Sequence, residues 1–309
     1  MKVYSYLKVI PPKNKKAEKI DLLTKFAAGV DQAGDNGKVV DNFKIRNSDV
    51  AVIQGWTHEF GKEALHLKLR QDIITTQRER NRHVVTADSN LFLYADKTNE
   101  PHHYLRYSFD GVFPNTGIYC DTNPDPKRWQ QISNDLGIQL GNHKTVGRNI
   151  VLCCQRNGGW SMANTGVVEW ILSTVREIRK YSNRLIIVRG HPNDRHASSY
   201  LNLPEITRLP GVKINIGTTF EEDLSKAWAV VNHNSSSIVG PIIMGYPAFI
   251  TGPKTSQCAE VAHTDFSKIE TPVEFDRQKW LERISMFHWK FSELEDGSCW
   301  RHMREYINF

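Results

Sequence analysis

The sequence predicts an α/β protein made of two domains of alternating strands and helices, followed by a helical tail. Three observations carry that expectation. From residue 149 onward, short aliphatic runs alternate with amphipathic stretches, the pattern of a parallel sheet joined by right-handed crossovers. At 309 residues the chain exceeds what one hydrophobic core ordinarily organises. Residues 137–148 are polar, contain glycine and lack a clear period, as a linker would. The expected boundaries are 1–140, 149–275 and a tail at 276–309, with the first two domains facing one another across a cleft.

The first half opens with a strand at 2–10, stopped by Pro11 and Pro12. A basic stretch follows at 13–19, and the Gly/Asn/Asp-rich segment 29–41 reads as a surface loop. Residues 49–54 make a buried strand ending at Gly55-Trp56. A long helix is expected over 61–82, because Ala64, Leu65, Leu69, Ile73 and Ile74 recur on one face. Lys62, Lys68, Arg70, Arg78, Arg80 and Arg82 are assigned to its other face. Strands follow at 83–87, 91–94 and 104–109, and the Asn/Asp/Pro cluster 121–127 starts a helix to about residue 136. In the second half, strands at 149–154, 185–188, 212–215, 228–232 and 248–251 alternate with helices at 162–182, 194–202, 220–227 and 236–244. The tail reads as two helical segments broken near 294–297.

Composition narrows the function classes. A hydrophobic content of 39% with 10% aromatics suits a globular chain. The longest apolar runs are far too short to span a bilayer, and the N-terminus lacks the features of a signal peptide. The expectation is therefore a soluble protein of the cytoplasm. Cys120, Cys153, Cys154, Cys258 and Cys299 show neither zinc-site spacing nor the density of a disulfide framework. Cys153 and Cys154 fall inside an apolar run, which implies burial. Net charge is +6, unevenly spread: residues 1–150 hold 22 Lys+Arg against 17 Asp+Glu, and residues 151–309 hold 18 against 17. A basic first half suggests an anionic partner, nucleic acid or acidic glycan. Ordinary surface charge is the alternative.

In an open α/β sheet, ligands bind beyond the carboxyl ends of the strands, and four loops fall there. Arg156, Asn157, Gly158 and Gly159 follow the first strand of the second half and offer a flexible backbone and a cation. No Walker loop and no dinucleotide fingerprint is present. Arg189 and His191, followed by Pro192, extend past the next strand, where Arg can fork a phosphate and His can donate or turn cationic. His233, Asn234, Ser235, Ser236 and Ser237 end a strand and open a helix, with more hydroxyls than an N-cap requires. Gly245-Tyr246-Pro247 turns the chain into its next strand. Together these loops match the needs of a nucleotide sugar, which presents vicinal hydroxyls, phosphate and a base.

The order Arg-x-His-Pro, then Asn-Ser-Ser before a helix, then Gly-x-Pro before a strand resembles the capsule-polysaccharide, Kdo-transferase-like glycosyltransferases. The run Gln155 to Met162 and the terminal Cys299 to Met303 are similar to glycosyltransferase-like proteins of large tailed phages. The resemblance is strongest over 149–309. It implies a GT-B fold of two Rossmann-like domains facing a cleft, with a nucleotide sugar, expected to be a UDP-sugar, as co-substrate. Phe109-Asp110-Gly111 resembles the family's Asp-Gly, which makes Asp110 the implied acceptor-activating base.

Mechanistic logic asks for the same thing, since an inverting transferase needs a base on the acceptor side. Asp110 is the first choice, Asp88 the second, and His58 or Glu59 the third. No Asp-x-Asp follows a strand, so no metal is expected. The basic helix, through Lys68, Arg70, Arg78, Arg80 and Arg82, points to double-stranded DNA as partner and no membrane. The acceptor expected first is a hydroxymethylated pyrimidine in phage DNA, flipped out for reaction in the cytoplasm of an infected bacterium. Surface polysaccharide, with a CMP- or UDP-sugar donor, is the second expectation. A non-catalytic nucleic-acid-binding protein on a degenerate transferase fold is the third.

Overall fold

The computed structural model describes residues 1–12, 17–57, 64–98, 102–157, 160–162, 165–215 and 217–307. In chain order the strands are β1 (Lys2–Tyr6), β2 (Asn36–Val40), β3 (Val50–Gln54), β4 (His83–Asp88), β5 (Leu105–Phe109), β6 (Asn149–Cys153), β7 (Leu185–Arg189), β8 (Val212–Asn215), β9 (Ala227–Asn232), β10 (Ala248–Ile250) and β11 (His288–Trp289). The helices are α1 (Ala17–Gln32), α2 (Leu65–Glu79), α3 (Pro126–Asp135), α4 (Val167–Arg179), α5 (Ala197–Leu201), α6 (Pro204–Thr207), α7 (Phe220–Leu224), α8 (Val239–Ile243), α9 (Arg277–Ser285), α10 (Phe291–Glu295) and α11 (Ser298–Met303). The chain divides into two compact units. Unit 1 holds Met1–Asn90, Asn99–Ile132 and Glu282–Phe309; unit 2 holds Leu91–Thr98 and Ser133–Leu281.

Unit 1 is one sheet in the order β11-β5-β4-β3-β1-β2. Strands β1 to β4 are parallel, whereas β5 runs antiparallel to β4 and β11 antiparallel to β5. Strand β3 reads Val-Ala-Val-Ile without alternation and is buried over those four residues, as a parallel strand covered on both faces must be. Segment 29–41, expected as a loop, is instead the end of α1 followed by β2. Helix α1 buries Leu22, Leu23, Phe26, Ala27 and Val30 at helical spacing. Its Gly29 is a packing residue, because a Cβ there would collide with the Leu294 carbonyl of α10. A glycine that reads as a breaker is thus required by the close approach of two helices.

The last segment packs into this same unit. Trp300 of α11 is 1% exposed, meets the rings of Phe26 and Phe109 edge-on, and donates its indole N–H to Asp35 at 2.8 Å. Buried Arg128 grips the Glu293 carboxylate in a bidentate pair and stacks over Trp289 at 4.3 Å. Cys299, Trp300 and Met303 therefore act as a core plug.

Unit 2 is an all-parallel sheet in the order β10-β9-β6-β7-β8. The order of strand addition reverses between β6 and β9, with β7 and β8 added on one side of β6 and β9 and β10 on the other. This makes the carboxyl ends of β6 and β9 the switch point where such sheets bind ligands. Helix α4 covers one face with Val167, Trp170, Ile171, Val175 and Ile178. Two expected elements differ. Residues 91–94 form a 3-10 turn, not a strand. Residues 236–244 are a three-residue 3-10 turn, Ser236–Ile238, leading into the short α8, because Ser235 accepts the Ser237 N–H and tightens the first turn. Among the described residues, no helix is long and apolar enough to cross a membrane.

Candidate functional site

A cavity of about 300 Å³ opens at the carboxyl edge of the unit 2 sheet. Cys153 and Cys154 form its floor, Arg189, His191, Ser235 and Ser237 bring polar groups, and Tyr94 and Phe220 supply aromatic walls. Both thiols are buried, which pushes Cys153 up to about 12 and Cys154 well above the ordinary thiol range, so neither is a thiolate at neutral pH.

Arg189 leaves β7 and is held rather than loose. Its Nη1 pairs with the Asp223 carboxylate of α7 and donates to the carbonyls of Thr218 and Thr219, both at 3.1 Å. The guanidinium also lies 5.6 Å from the Phe220 ring centroid. Phe220 is itself fixed by a capping box between Thr219 and Glu222 at the start of α7. Asp223 offsets the Arg189 charge, so the site is less cationic than the sequence suggests.

His191 was expected to donate or turn cationic, and the structure favours the neutral donor. Burial, together with the Arg156 charge and against Asp194, holds its pKa below the usual imidazole value. Its Nδ1 accepts the Asn193 N–H at 3.1 Å, which leaves the ring proton on Nε2. Asp194, three residues on, ties this loop to the one after β6: its carboxylate accepts from the Asn157 and His196 N–H groups and the Tyr200 hydroxyl. Burial works against its ionisation, but these bonds together hold it below the ordinary carboxylate range.

The His233 to Ser237 segment splits by role. Asn234 is a strut: its amide donates to the Ser161 carbonyl at 2.9 Å and the Thr255 hydroxyl at 2.8 Å, and its carbonyl accepts from Gln155. His233 hydrogen-bonds Thr251 at 2.8 Å, and the indole N–H of Trp170 donates to that same hydroxyl. Burial keeps this imidazole neutral as well. Ser235 and Ser237 line the cavity, Ser236 is half-buried beside them, and Arg156 and Asn157 are exposed at the rim of the first loop. Gly158 and Gly159 lie outside the described residues.

The unit 1 candidates fare differently. Asp110 follows an antiparallel strand, so it lies at the edge where β4 begins, not beyond the carboxyl ends of the parallel strands. There it has a left-handed φ of 62°, accepts the Val84 N–H at 2.8 Å and pairs with His83 Nδ1 at 2.6 Å. Its geometry is that of a strand-start anchor. Asp88 does end β4 at the carboxyl edge, in an ion pair with Arg106. His58 and Glu59 lie outside the described residues.

The basic face of α2 also needs correction. Arg70 is buried, donating from Nε and Nη2 to the Val9 carbonyl at 3.1 and 2.8 Å, and burial lowers its pKa to about 10. Arg82 is spent on the Ser48 carbonyl and the Asn47 amide. Lys68, Arg78 and Arg80 remain exposed, interleaved with exposed Asp72 and Glu79.

The folded chain has the α/β organisation of the GT-B fold, with two Rossmann-like units. No protein-family model and no curated protein matches the sequence. Among solved structures, the chain is similar to the β-Kdo 2,7 transferase of Thermosulfurimonas dismutans KpsC, at 14% identity and TM-score 0.54, covering 96% of this chain and 99% of that one. It is also similar to the β-Kdo 2,4 transferase of the same KpsC, at 12% identity and TM-score 0.56, covering 94% and 92%. At these identities the likeness is one of fold.

Proposed function

We propose that this chain transfers a sugar from a nucleotide sugar, held in the unit 2 cavity, to a hydroxyl group of a glycan. The cavity itself carries the reading: it lies at the switch point and combines aromatic walls, a fixed Arg189, the Nε2–H of His191 and the hydroxyls of Ser235 and Ser237. A nucleotide sugar has the matching parts, namely a flat base, ring hydroxyls and a phosphate. As the bond from the anomeric carbon to the phosphate oxygen breaks, charge grows on that oxygen, where Arg189 and His191 stabilise it. The acceptor oxygen takes the anomeric carbon and gives its proton to a carboxylate. Asp88, at the carboxyl edge of the unit 1 sheet, and Asp110, where β4 begins, are the candidates for that carboxylate. The β-Kdo transfer named for the two structural neighbours supports a glycan acceptor and an acidic sugar.

A second reading keeps DNA with a hydroxymethylated pyrimidine as acceptor, in the cytoplasm of an infected cell. It is favoured by exposed Lys68, Arg78 and Arg80. It stands second because Arg70 and Arg82 are tied into the fold and acidic side chains interrupt the stripe. The test is to incubate the protein with UDP-, CMP- and GDP-sugars, offering acidic oligosaccharides or hydroxymethylated DNA, and to follow released nucleotide by chromatography. Labelled oligosaccharide supports the first reading and labelled DNA the second. If no nucleotide sugar binds or is consumed, the transferase reading fails. Of Asp88→Asn and Asp110→Asn, the variant that removes the base is expected to stop transfer while nucleotide binding persists.

A further inference from the structure

The turn that carries Tyr94 is out of place in the chain order. It lies between β4 and β5, two strands of unit 1, yet residues Leu91–Thr98 belong to unit 2. Several contacts make this excursion specific. Leu91 and Phe92 are buried, at 2% and 0% exposure, and Lys97 N–H donates to the Leu136 carbonyl at 3.0 Å. Asp96 closes the turn by accepting the Thr98 N–H and hydroxyl at 2.9 and 2.7 Å. On the other side, α8 presents Gly240: a Cβ there would stand 2.9 Å from the Tyr94 carbonyl oxygen. Only a residue without a side chain lets α8 approach this closely.

The anchoring leaves Tyr94 itself 39% exposed at the cavity wall. Its ring meets Phe220 edge-on, with centroids 6.2 Å apart and planes at 76°. No hydrogen bond occupies the Tyr94 hydroxyl among the described residues. A large aromatic side chain held on a rigid turn, half open beside Arg189, His191 and two serines, has the makings of a stacking platform. Rings prefer offset or edge contacts with such surfaces, and stacking on a base tolerates any base because every base has a π-face. The Arg189 guanidinium lies over the Phe220 ring, 5.6 Å from its centroid, which places the cation next to the rings.

We infer that Tyr94, delivered by this excursion, and Phe220 form the platform on which the base of the nucleotide donor stacks. This rests on the proposed function, since it names the part of the donor that these rings hold. Arg189, His191 and the two serines then receive the phosphate and sugar. The platform sets affinity for the aromatic part of the ligand and is indifferent to the rest.

Isothermal titration of the intact protein with CMP, UDP and GDP, and with ribose 5-phosphate as a ligand lacking a base, tests it. Thermal melts confirm that the variants fold. Tyr94→Ala and Phe220→Ala are each expected to weaken binding of the nucleotide that wild type binds by roughly 5- to 150-fold, the range of one lost base stack. Tyr94→Phe, which keeps the ring, should restore wild-type affinity, and ribose 5-phosphate should bind all four proteins alike. Nucleotide binding unchanged by both alanine variants overturns the platform while leaving the proposed function standing. An equal loss for ribose 5-phosphate also overturns it, because the rings would then be shaping the cavity rather than holding a base. If wild type binds no nucleotide at all, the proposed function fails and the platform with it.

Discussion

Replacing Asn234 by alanine separates two roles that the sequence could not tell apart. A ligand contact would lose affinity and leave stability alone. A strut would lose stability first. In the structure Asn234 donates to the Ser161 carbonyl and the Thr255 hydroxyl and accepts from buried Gln155, so it joins three loops around the cavity. Each such bond contributes about 0.5–1.5 kcal/mol net, and an unpaired buried Gln155 amide costs somewhat more. Because Asn234 is only half-buried, water recovers part of the loss, and we expect about 2–3 kcal/mol. For a unit of this size that is about 4–12 °C in melting temperature. Thermal unfolding by circular dichroism reads the first quantity and nucleotide titration the second. A melting temperature within about 1 °C of wild type, with affinity down roughly tenfold, would refute the strut and return Asn234 to the ligand.

Three further outcomes follow from the same geometry. Asp223→Ala leaves Arg189 without its counter-charge; a fully buried half-pair costs about 3–5 kcal/mol and an exposed one under 1, so side chains 19% and 11% exposed should lose about 2–3 kcal/mol in urea unfolding. Gly240→Ala should gain about 1 kcal/mol from helix propensity if space allowed, but the Tyr94 carbonyl forbids it, so nucleotide affinity should fall and unfolding temperature should not rise. His191, His233, His263 and His288 all have folded pKa values lowered by burial from 6.5, His288 to about 3. The unfolded chain therefore binds protons first as pH falls, and stability present above pH 6.5 is lost progressively below it. Urea midpoints measured from about pH 7 down to about pH 5 should decline; a flat profile would mean these histidines are not buried neutral.

What the sequence made visible depended on how local its cause was. The unit 2 strands were readable because parallel strands buried on both faces are continuous aliphatic runs, and their following loops were readable because ligand loops sit at carboxyl ends. The direction of β5 was not readable, since nothing within five residues tells a strand which neighbour it will pair with. Asp110 therefore lies where β4 begins, not beyond the carboxyl ends of the parallel strands. Gly29 looked like a loop residue because its reason, the Leu294 carbonyl, lies more than 260 residues away. Tyr94 was hidden for the same reason: it sits far upstream of β6, and only tertiary structure sends it into unit 2. Phe220 had a local signal in the Thr219–Glu222 capping box, and Arg70 had one in its helical spacing from Ile73 and Ile74. Both could have been found by counting turns.

Nucleotide binding in the unit 2 cavity decides the proposed function. Ser237 lines that cavity, and Ser237→Trp is expected to fill it. Titration of wild type and this variant with CMP, UDP and GDP reads the claim directly. Wild type should bind at least one of them, and the filled variant, folded by its melting curve, should bind none. Equal binding by both proteins would contradict it, because the nucleotide would then sit elsewhere.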